Sequence, residues 1–473
     1  MEVLHISFEF YPLAKTGGLA DVVGALPKYL NNLDISTGVI LPKYDKSTFQ
    51  DLKVISQTEG TVLLGTTEYL YTIEEIKDTR FEFPLYIVAI PSLLNRDQMY
   101  GYPDDVERFL GFQIAVLQWI LTLKDKPQIL HCHDHHTGLI PFMKDYCYDF
   151  EDLKPLKSII TIHNAQYQGQ FGYEYEHYLP YFNEEDKGLL DWDQLINPLA
   201  TAIKCADRVT TVSPTYMREL QQSAAGLEGL LVHEKNKCIG ILNGIDATYW
   251  NPKTDSLLKE PYDRRNFISK RKIHKEWLCD TYGFIKELPL FIFIGRLVYE
   301  KGVDLLPEVI EKIMPQANLN LLLLGSGDQV IAANLKAAAQ KVGTHCQVHI
   351  GYDEQLSHLM YAGGDFILMP SRVEPCGLNQ MYALRYGTIP VVRRTGGLQD
   401  TVVDIGDDGY GICHAQATVT DICEGIRRAV ELYSNSKFYR QTQRKAMQID
   451  NSWNHSAKQY KTLYQSLIKY IHD

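Results

Sequence analysis

Both halves of this chain alternate short β-branched or apolar runs with longer segments of helical spacing. That alternation restricts the fold to parallel sheets covered by helices. In the first half Val3 to Phe8, Leu85 to Ile90, Ile129 to Cys132, Ile159 to Ile162 and Arg208 to Val212 read as strands. Leu19, Val22, Val23, Leu26 and Leu30 keep helical spacing after the first strand, with Pro27 an expected irregularity. The pattern restarts at Pro289 to Gly295 and continues through Asn320 to Gly325, Cys346 to Ile350, Asp365 to Pro370 and Ile389 to Val392. Helical runs fit between them, including Gly302 to Met314 and Leu378 to Arg385, and the basic stretch Arg264 to Lys275 reads as a surface helix. At about 150 residues per domain, 473 residues suit two or three domains. Gly, Pro, Asn and Asp gather between Asn243 and Asp255, which assigns residues 1–247 to one Rossmann-like domain and 248–454 to a second. Residues 455–473 continue a helical spacing that begins at Trp453; the pattern leaves open which half they cover, and packing back onto the first is the expectation.

Composition excludes several function classes. Lys plus Arg is 47 against 58 for Asp plus Glu, a formal net charge of -11, which disfavours a nucleic-acid or anionic-membrane binder. No apolar run approaches the roughly 18 residues of a membrane span. The N-terminus lacks the basic flank of a signal peptide. The nine cysteines are scattered and contain no CxxC pair, so a reducing, cytoplasmic setting is expected.

One echo crosses the two halves: Thr16-Gly17-Gly18-Leu19-Ala20-Asp21 recurs as Thr395-Gly396-Gly397-Leu398-Gln399-Asp400. Each copy follows a strand and precedes a helical run, where glycine lets a ligand approach the backbone and a helix start offers free N–H groups to an anion. Either copy alone is equally a tight strand-to-helix turn. As a pair they point to anion or sugar contact, because clefts at topological switch points collect ligands.

Cationic residues stand beside the second half's first strand. Arg296 follows Gly295, and Lys301-Gly302 opens the next segment; a guanidinium fork with an ammonium point charge suits a diphosphate. In Ser371-Arg372-Val373-Glu374-Pro375-Cys376-Gly377-Leu378 a carboxylate sits near a helix start, able to accept sugar hydroxyls or to face developing positive charge, or simply to cap the helix. The paired acids of an ordinary glycosidase are not evident.

His131-Cys132-His133-Asp134-His135-His136 invites a metal, but alternate side chains of a strand point to opposite faces, so no metal site is expected. Asp134, at the strand's end, is the candidate to fix a sugar or acceptor hydroxyl. The remaining histidines read as packing or hydrogen-bonded surface groups. His163-Asn164 ends the next strand, and His163 can donate to a hydroxyl or serve structurally. Gly325-Ser326-Gly327-Asp328 lacks a complete dinucleotide fingerprint.

These motifs, with Lys15 before the first glycine pair, Thr211-Val212-Ser213-Pro214-Thr215-Tyr216 and Asn243-Gly244-Ile245-Asp246, resemble in order those of the bacterial glycogen synthase and plant starch synthase family of the ADP-glucose type. The resemblance implies a GT-B fold, two doubly wound α/β domains facing a deep cleft. It implies glucosyl transfer from ADP-glucose to the non-reducing 4-OH of an α-1,4-glucan with retention of configuration, and no cofactor or metal. Lys15 and Gly18 are then expected at the donor phosphates, and Arg296 and Lys301 at the diphosphate. Glu374 and the Cys376, Gly377, Leu378 backbone are expected at the glucosyl group. His163 would hold the glucose 6-OH, Asp134 would orient the sugar or acceptor, and Tyr352 would stack on adenine. Asn379 starts the helix facing the diphosphate, and Thr395, Gly396 and Gly397 join the donor site. The partners implied are ADP-glucose and the glucan, with no nucleic acid or membrane and no protein partner indicated. His135 replaces a frequent Trp, and Asn197 to Thr201 and Asn95 to Asp105 depart from the family pattern, which touches acceptor preference. The alternatives are a UDP-glucose enzyme with another acceptor and a non-catalytic glucan-binding protein.

Overall fold

The computed structural model describes residues 1–468. The chain divides into two compact units, one formed by Met1–Gly244 with the segment that begins at Trp453, the other by Ile245–Ser452. The closing segment thus belongs to the first unit; its residues beyond Ile468 lie outside the described residues.

The first unit is built on a nine-stranded sheet. Its strands are β1 (Val3–Ile6), β2 (Thr37–Pro42), β3 (Val54–Leu64), β4 (Thr67–Ile76), β5 (Leu85–Ala89), β6 (Ile129–His133), β7 (Lys157–Ile162), β10 (Arg208–Thr211) and β11 (Cys238–Gly240). A separate hairpin joins β8 (Asp191–Trp192) to β9 (Leu195–Ile196). The order is β11-β10-β7-β6-β1-β2-β5-β4-β3, parallel except where β4 meets β5 and β3 meets β4. β1 is buried throughout, as a central parallel strand covered on both faces must be. The strand order reverses between β1 and β6, so the loops after Ile6 and His133 open at a switch point. The β3–β4 hairpin extends the sheet where the sequence showed no buried run: β3 is exposed over 54–57 and alternates exposed and covered from Thr58 on.

The second unit holds β12 (Leu290–Leu297), β13 (Asn320–Gly327), β14 (Cys346–Ile350), β15 (Phe366–Met369), β16 (Ile389–Arg393) and β17 (Ile412–His414). All are parallel, in the order β14-β13-β12-β15-β16-β17, the doubly wound arrangement. Its switch point lies between β12 and β15. Phe291, Leu321, Leu323, Phe366 and Val391 bury against Val309, Ile310, Leu335 and Ile426 of the covering helices.

Two expectations are corrected. The basic stretch near 264–275 forms a helix, Phe267–Tyr282, exposed along one face, but Arg271, His274 and Lys275 turn inward rather than to solvent. The charges of Arg271 and Lys275 are tolerable there because each is paired or hydrogen-bonded. Arg271 donates to the Tyr361 carbonyl at 3.1 Å and to Thr388 Oγ1 at 3.1 Å, and Lys275 Nζ lies 2.8 Å from Asp365 Oδ2. The helical run after Lys301 starts one residue later than expected: Gly302 is left-handed, and a 3-10 turn, Val303–Leu305, leads directly into the helix Leu306–Ile313.

The helix Trp453–Ile468 closes the first unit. Trp453, Ala457, Tyr460, Tyr464 and Leu467 share one face at helical spacing and pack on Val22, Leu26 and Leu30 of the helix Gly18–Asn31, which runs through Pro27. Trp453 is among the largest fully buried side chains. Trp453→Ala is expected to cost the first unit about 3–5 kcal/mol, the usual penalty for emptying an aromatic core position. Urea unfolding read on the first unit checks this; a loss below about 1 kcal/mol would mean the helix is not part of that core.

Candidate functional site

At the second unit's switch point, sequence dictates an unusually close loop contact. β12 runs on to Leu297, so Arg296 lies within the strand's end rather than past it, with Nη2 3.8 Å from Glu300 Oε2 and the side chain 44% exposed. After a turn over Tyr299–Lys301 the chain passes Gly302 at φ 66°, where an added Cβ would stand 2.3 Å from the Pro370 carbonyl oxygen. Only glycine accommodates both the left-handed conformation and that approach. The loops after β12 and β15 are therefore pressed together. The Glu300 carbonyl accepts the N–H groups of Arg372 at 2.7 Å and Val373 at 3.2 Å. Arg372 pairs with both oxygens of Asp304 at 2.6 and 2.9 Å and lies 3.7 Å over the Tyr299 ring.

This contact brings Lys301 onto Glu374. The ammonium donates to Oε1 at 2.6 Å and Oε2 at 2.7 Å, and Ser371 Oγ donates to Oε2 at 2.8 Å. Glu374 is 3% exposed, whereas the Lys301 side chain keeps 24% of its surface open. Asn379 Nδ2 donates to the Ile294 carbonyl at 2.6 Å and ties the start of the helix Asn379–Tyr386 to β12. A cavity of about 30 Å³ lined by Gly295, Lys301, Ser371, Glu374 and Asn379 remains between them.

The second glycine pair lies beneath this turn. A Cβ at Gly396 would meet the Glu374 carbonyl at 1.9 Å, one at Gly397 would meet the Cys376 carbonyl at 2.1 Å, and the Gly397 N–H is given to Glu374 O. Thr395, Gly396 and Gly397 are all buried and hold the Glu374–Cys376 backbone in place. Gly377 turns that backbone at φ 71° before Leu378 caps the helix. Tyr352 follows β14 and is 76% exposed.

In the first unit the equivalent turn is organised by a residue that sequence reasoning passed over. Glu9, three residues past β1, accepts the N–H groups of Thr16 at 2.7 Å and Gly17 at 2.9 Å through Oε2, and Tyr100 OH at 3.0 Å through Oε1. Burial pushes its carboxyl pKa up, against those donors. Two of the N–H groups proposed for an anion are thus already filled. Around Gly17 a Cβ would meet nothing, unlike its counterpart Gly396, and Gly18 begins the helix Gly18–Asn31. Lys15 Nζ lies 2.7 Å from Asp21 Oδ1 and 5.1 Å from the centre of the Tyr11 ring. A carboxylate after a buried strand and seven residues before the turn was the available signal for Glu9; Ser371, inside a quoted motif, was equally visible.

Asp134 follows β6 at φ 57°, ψ -178°, a region nearly reserved for glycine. The strain is held by two bonds: its N–H goes to the Thr161 carbonyl at 3.0 Å, and its Oδ1 accepts the His163 N–H at 2.7 Å. Burial raises its carboxyl to about 7. His163 directly follows β7 and is 9% exposed; burial lowers its imidazole to about 3. Asp134 and His163 are thus brought together, as are Lys301, Glu374 and Asn379 in the other unit.

Of the other histidines in this run, His131, His133 and His136 are buried packing groups and His135 is partly exposed. His131 and His133 are fully buried beside His5, and the ring nitrogens of this trio lie within 4.8 Å of one another, the one such grouping among the described residues. His131 spends its two nitrogens on Tyr464 OH at 2.8 Å and Thr161 Oγ1 at 2.6 Å. His135 Nδ1 faces the Tyr167 carbonyl at 3.1 Å.

Residues 2–233 match the starch synthase catalytic domain family, and residues 280–448 match the glycosyl transferases of group 1. The glycogen synthase of Flavobacterium johnsoniae is 49% identical over 471 residues, covering 99% of this chain and all of that protein. That of Geobacillus thermodenitrificans is 37% identical, covering 99% and 98%. Among solved structures, the catalytic domain of starch synthase IV from Arabidopsis thaliana bound to ADP and acarbose superposes with a TM-score of 0.91 at 33% identity, over 99% of both chains. Sucrose-phosphate synthase from Thermosynechococcus elongatus, at 17% identity and a TM-score of 0.62, shares the fold alone.

Two Rossmann-like units of the GT-B type, with charged side chains gathered at their switch points, make this a glycosyltransferase. Within that class the chain belongs to the glycogen and starch synthase family.

The raised Asp134 pKa has a definite sign. A carboxyl shifted from 3.8 to about 7 adds stability that is complete below about 3.8 and is lost as pH rises through about 7. Relative to Asp134→Asn, the wild type should therefore lose stability between pH 4 and 7 and level off above. Urea midpoints of both proteins across that range test this; parallel curves would remove the shift.

Proposed function

We propose that this chain transfers glucose from ADP-glucose to the non-reducing 4-OH of an α-1,4-glucan with retention of configuration, without a metal. The observation that carries this is the Lys301–Glu374–Ser371 cluster at a doubly wound switch point, in a chain so similar to a starch synthase domain solved with ADP and acarbose.

Lys301 gives two of its three ammonium hydrogens to Glu374 and keeps one for a phosphate oxygen. Arg296, more open, adds a guanidinium fork for the diphosphate. Together they stabilise the charge that grows on the leaving group. Glu374, with the Cys376–Leu378 backbone, receives the glucosyl hydroxyls and lies near the positive charge of an oxocarbenium-like centre. Asn379 and the Thr395–Gly397 turn hold that backbone, and Tyr352 stacks on the adenine. From the first unit Lys15 and Gly18 serve the donor phosphates, His163 holds the glucose 6-OH and Asp134 orients the sugar or acceptor.

The C1–O bond to the β-phosphate breaks, and acceptor O4 bonds to C1 on the same face. The O4 proton passes to the departing phosphate oxygen, so ADP leaves and no protein nucleophile is required. Preorganised cations supply the term that most often dominates such barriers.

Incubation with a malto-oligosaccharide and either ADP-glucose or UDP-glucose, with and without chelator, tests the proposal. Chain lengthening with ADP-glucose that is indifferent to chelator is expected. Faster turnover with UDP-glucose would replace the donor, and glucan binding without transfer from any nucleotide sugar would replace the enzyme by a binding protein. Arg296→Ala and Lys301→Ala should each lower kcat by about 10²–10³-fold while glucan affinity stays near wild type. Equal losses in turnover and in glucan binding would remove their assigned role.

A further inference from the structure

The interior of the first sheet contains a line of imidazoles that ends at His163. The register sets His5 of β1 beside His131 of β6, and His133 two residues on shares their face. His5 Nδ1 lies 2.9 Å from His133 Nε2, and His133 Nδ1 lies 2.9 Å from His163 Nε2. His5 and His133 are fully buried. Burial keeps all three rings neutral, with His5 and His163 lowered to about 3 and His133 well below its usual value. His131 stands outside the line and stacks on His133 with ring centres 4.5 Å apart, so the middle ring is fixed in place.

A neutral imidazole carries one N–H and one lone pair. Two nitrogen–nitrogen hydrogen bonds along three such rings allow only two arrangements: all three protons on Nδ1, or all three on Nε2. Any mixture sets two N–H groups or two lone pairs against each other. The ends of the line break the tie. His5 Nε2 is buried without a partner. The Nε2 order would strand an N–H there, and orphaned buried N–H groups are rare in native proteins. The Nδ1 order leaves only a lone pair at that end and puts the last N–H on His163 Nδ1.

We propose that His5 and His133 are positioning residues that fix the tautomer of His163, so that His163 meets its substrate as an Nδ1–H donor. The target of that donor, the sugar 6-hydroxyl, rests on the function proposed above; the tautomer does not. A ring free to exchange tautomers would present a lone pair part of the time and lose the directed bond. The strained Asp134 contributes by holding the His163 backbone N–H, which aims the ring.

Nitrogen NMR of protein labelled with ¹⁵N in histidine, with the His163 signals assigned by their loss in His163→Gln, reports which ring nitrogen carries the proton. Nδ1 is expected in both His133 and His163. In His133→Phe, which keeps a flat ring but cuts the line, His163 should shift toward Nε2. The same variant should lower kcat/KM about tenfold, and the penalty for a 6-deoxy donor sugar should shrink. A wild-type His163 protonated on Nε2, or a tautomer unchanged in His133→Phe, overturns the proposal; the wild-type spectrum decides alone should the variant not fold. If the tautomer shifts as expected while wild type shows no penalty for the 6-deoxy donor, the line stands and the 6-hydroxyl assignment fails.

Discussion

The ion pair between Lys301 and Glu374 is the contact around which the second unit's switch point is built. A carboxylate this buried is costly without a partner, and removing one member of such a pair typically costs about 3–5 kcal/mol. The pair is possible only because Gly302 lets the loop after β12 rest on Pro370, and because Gly396 and Gly397 let a third loop pass under the Glu374 backbone. Three strand ends are thus locked together by backbone contacts that no side chain could replace. The charged groups sit on that platform and are held in place before the diphosphate proposed above would bind.

The first unit solves the same problem with different means. Its switch-point turn is held by the carboxylate of Glu9, and its neighbouring loop by strain at Asp134 that two hydrogen bonds maintain. Behind them the sheet interior is polar where a parallel sheet is ordinarily apolar. His5, His131 and His133 occupy positions that would suit Val or Leu. Their nitrogens are nearly all paired, which makes the cost bearable and the orientation of His163 definite.

The local grammar of strand, turn and helix was readable from residue order. Glycine beside a strand end, a cation just beyond it and a helix starting after Gly377 each reflect neighbours in sequence, and these led to Arg296, Lys301, Glu374 and Asp134. The β3–β4 hairpin escaped because its strands never form a buried run. Arg271 and Lys275 escaped because a basic helix face looks solvent-facing until its partners Thr388 and Asp365, about a hundred residues away, are brought to it. The twin glycine turns looked alike in sequence and differ in space: Gly17 is open and Gly396 is pressed on backbone.

Residue order by itself determined two α/β halves, their approximate junction and most of the polar groups at the strand ends, since those follow from periodicities a few residues long. Only the tertiary structure decided that Lys301 closes on Glu374, that Glu9 fills the first turn, and that His5 reaches His163 through His133. Glu9 closes a loop of only seven residues; the other two are consequences of parallel register, in which strands far apart in the chain become neighbours about 5 Å apart. Such proximity depends on how crossovers thread the sheet, and no local pattern encodes it.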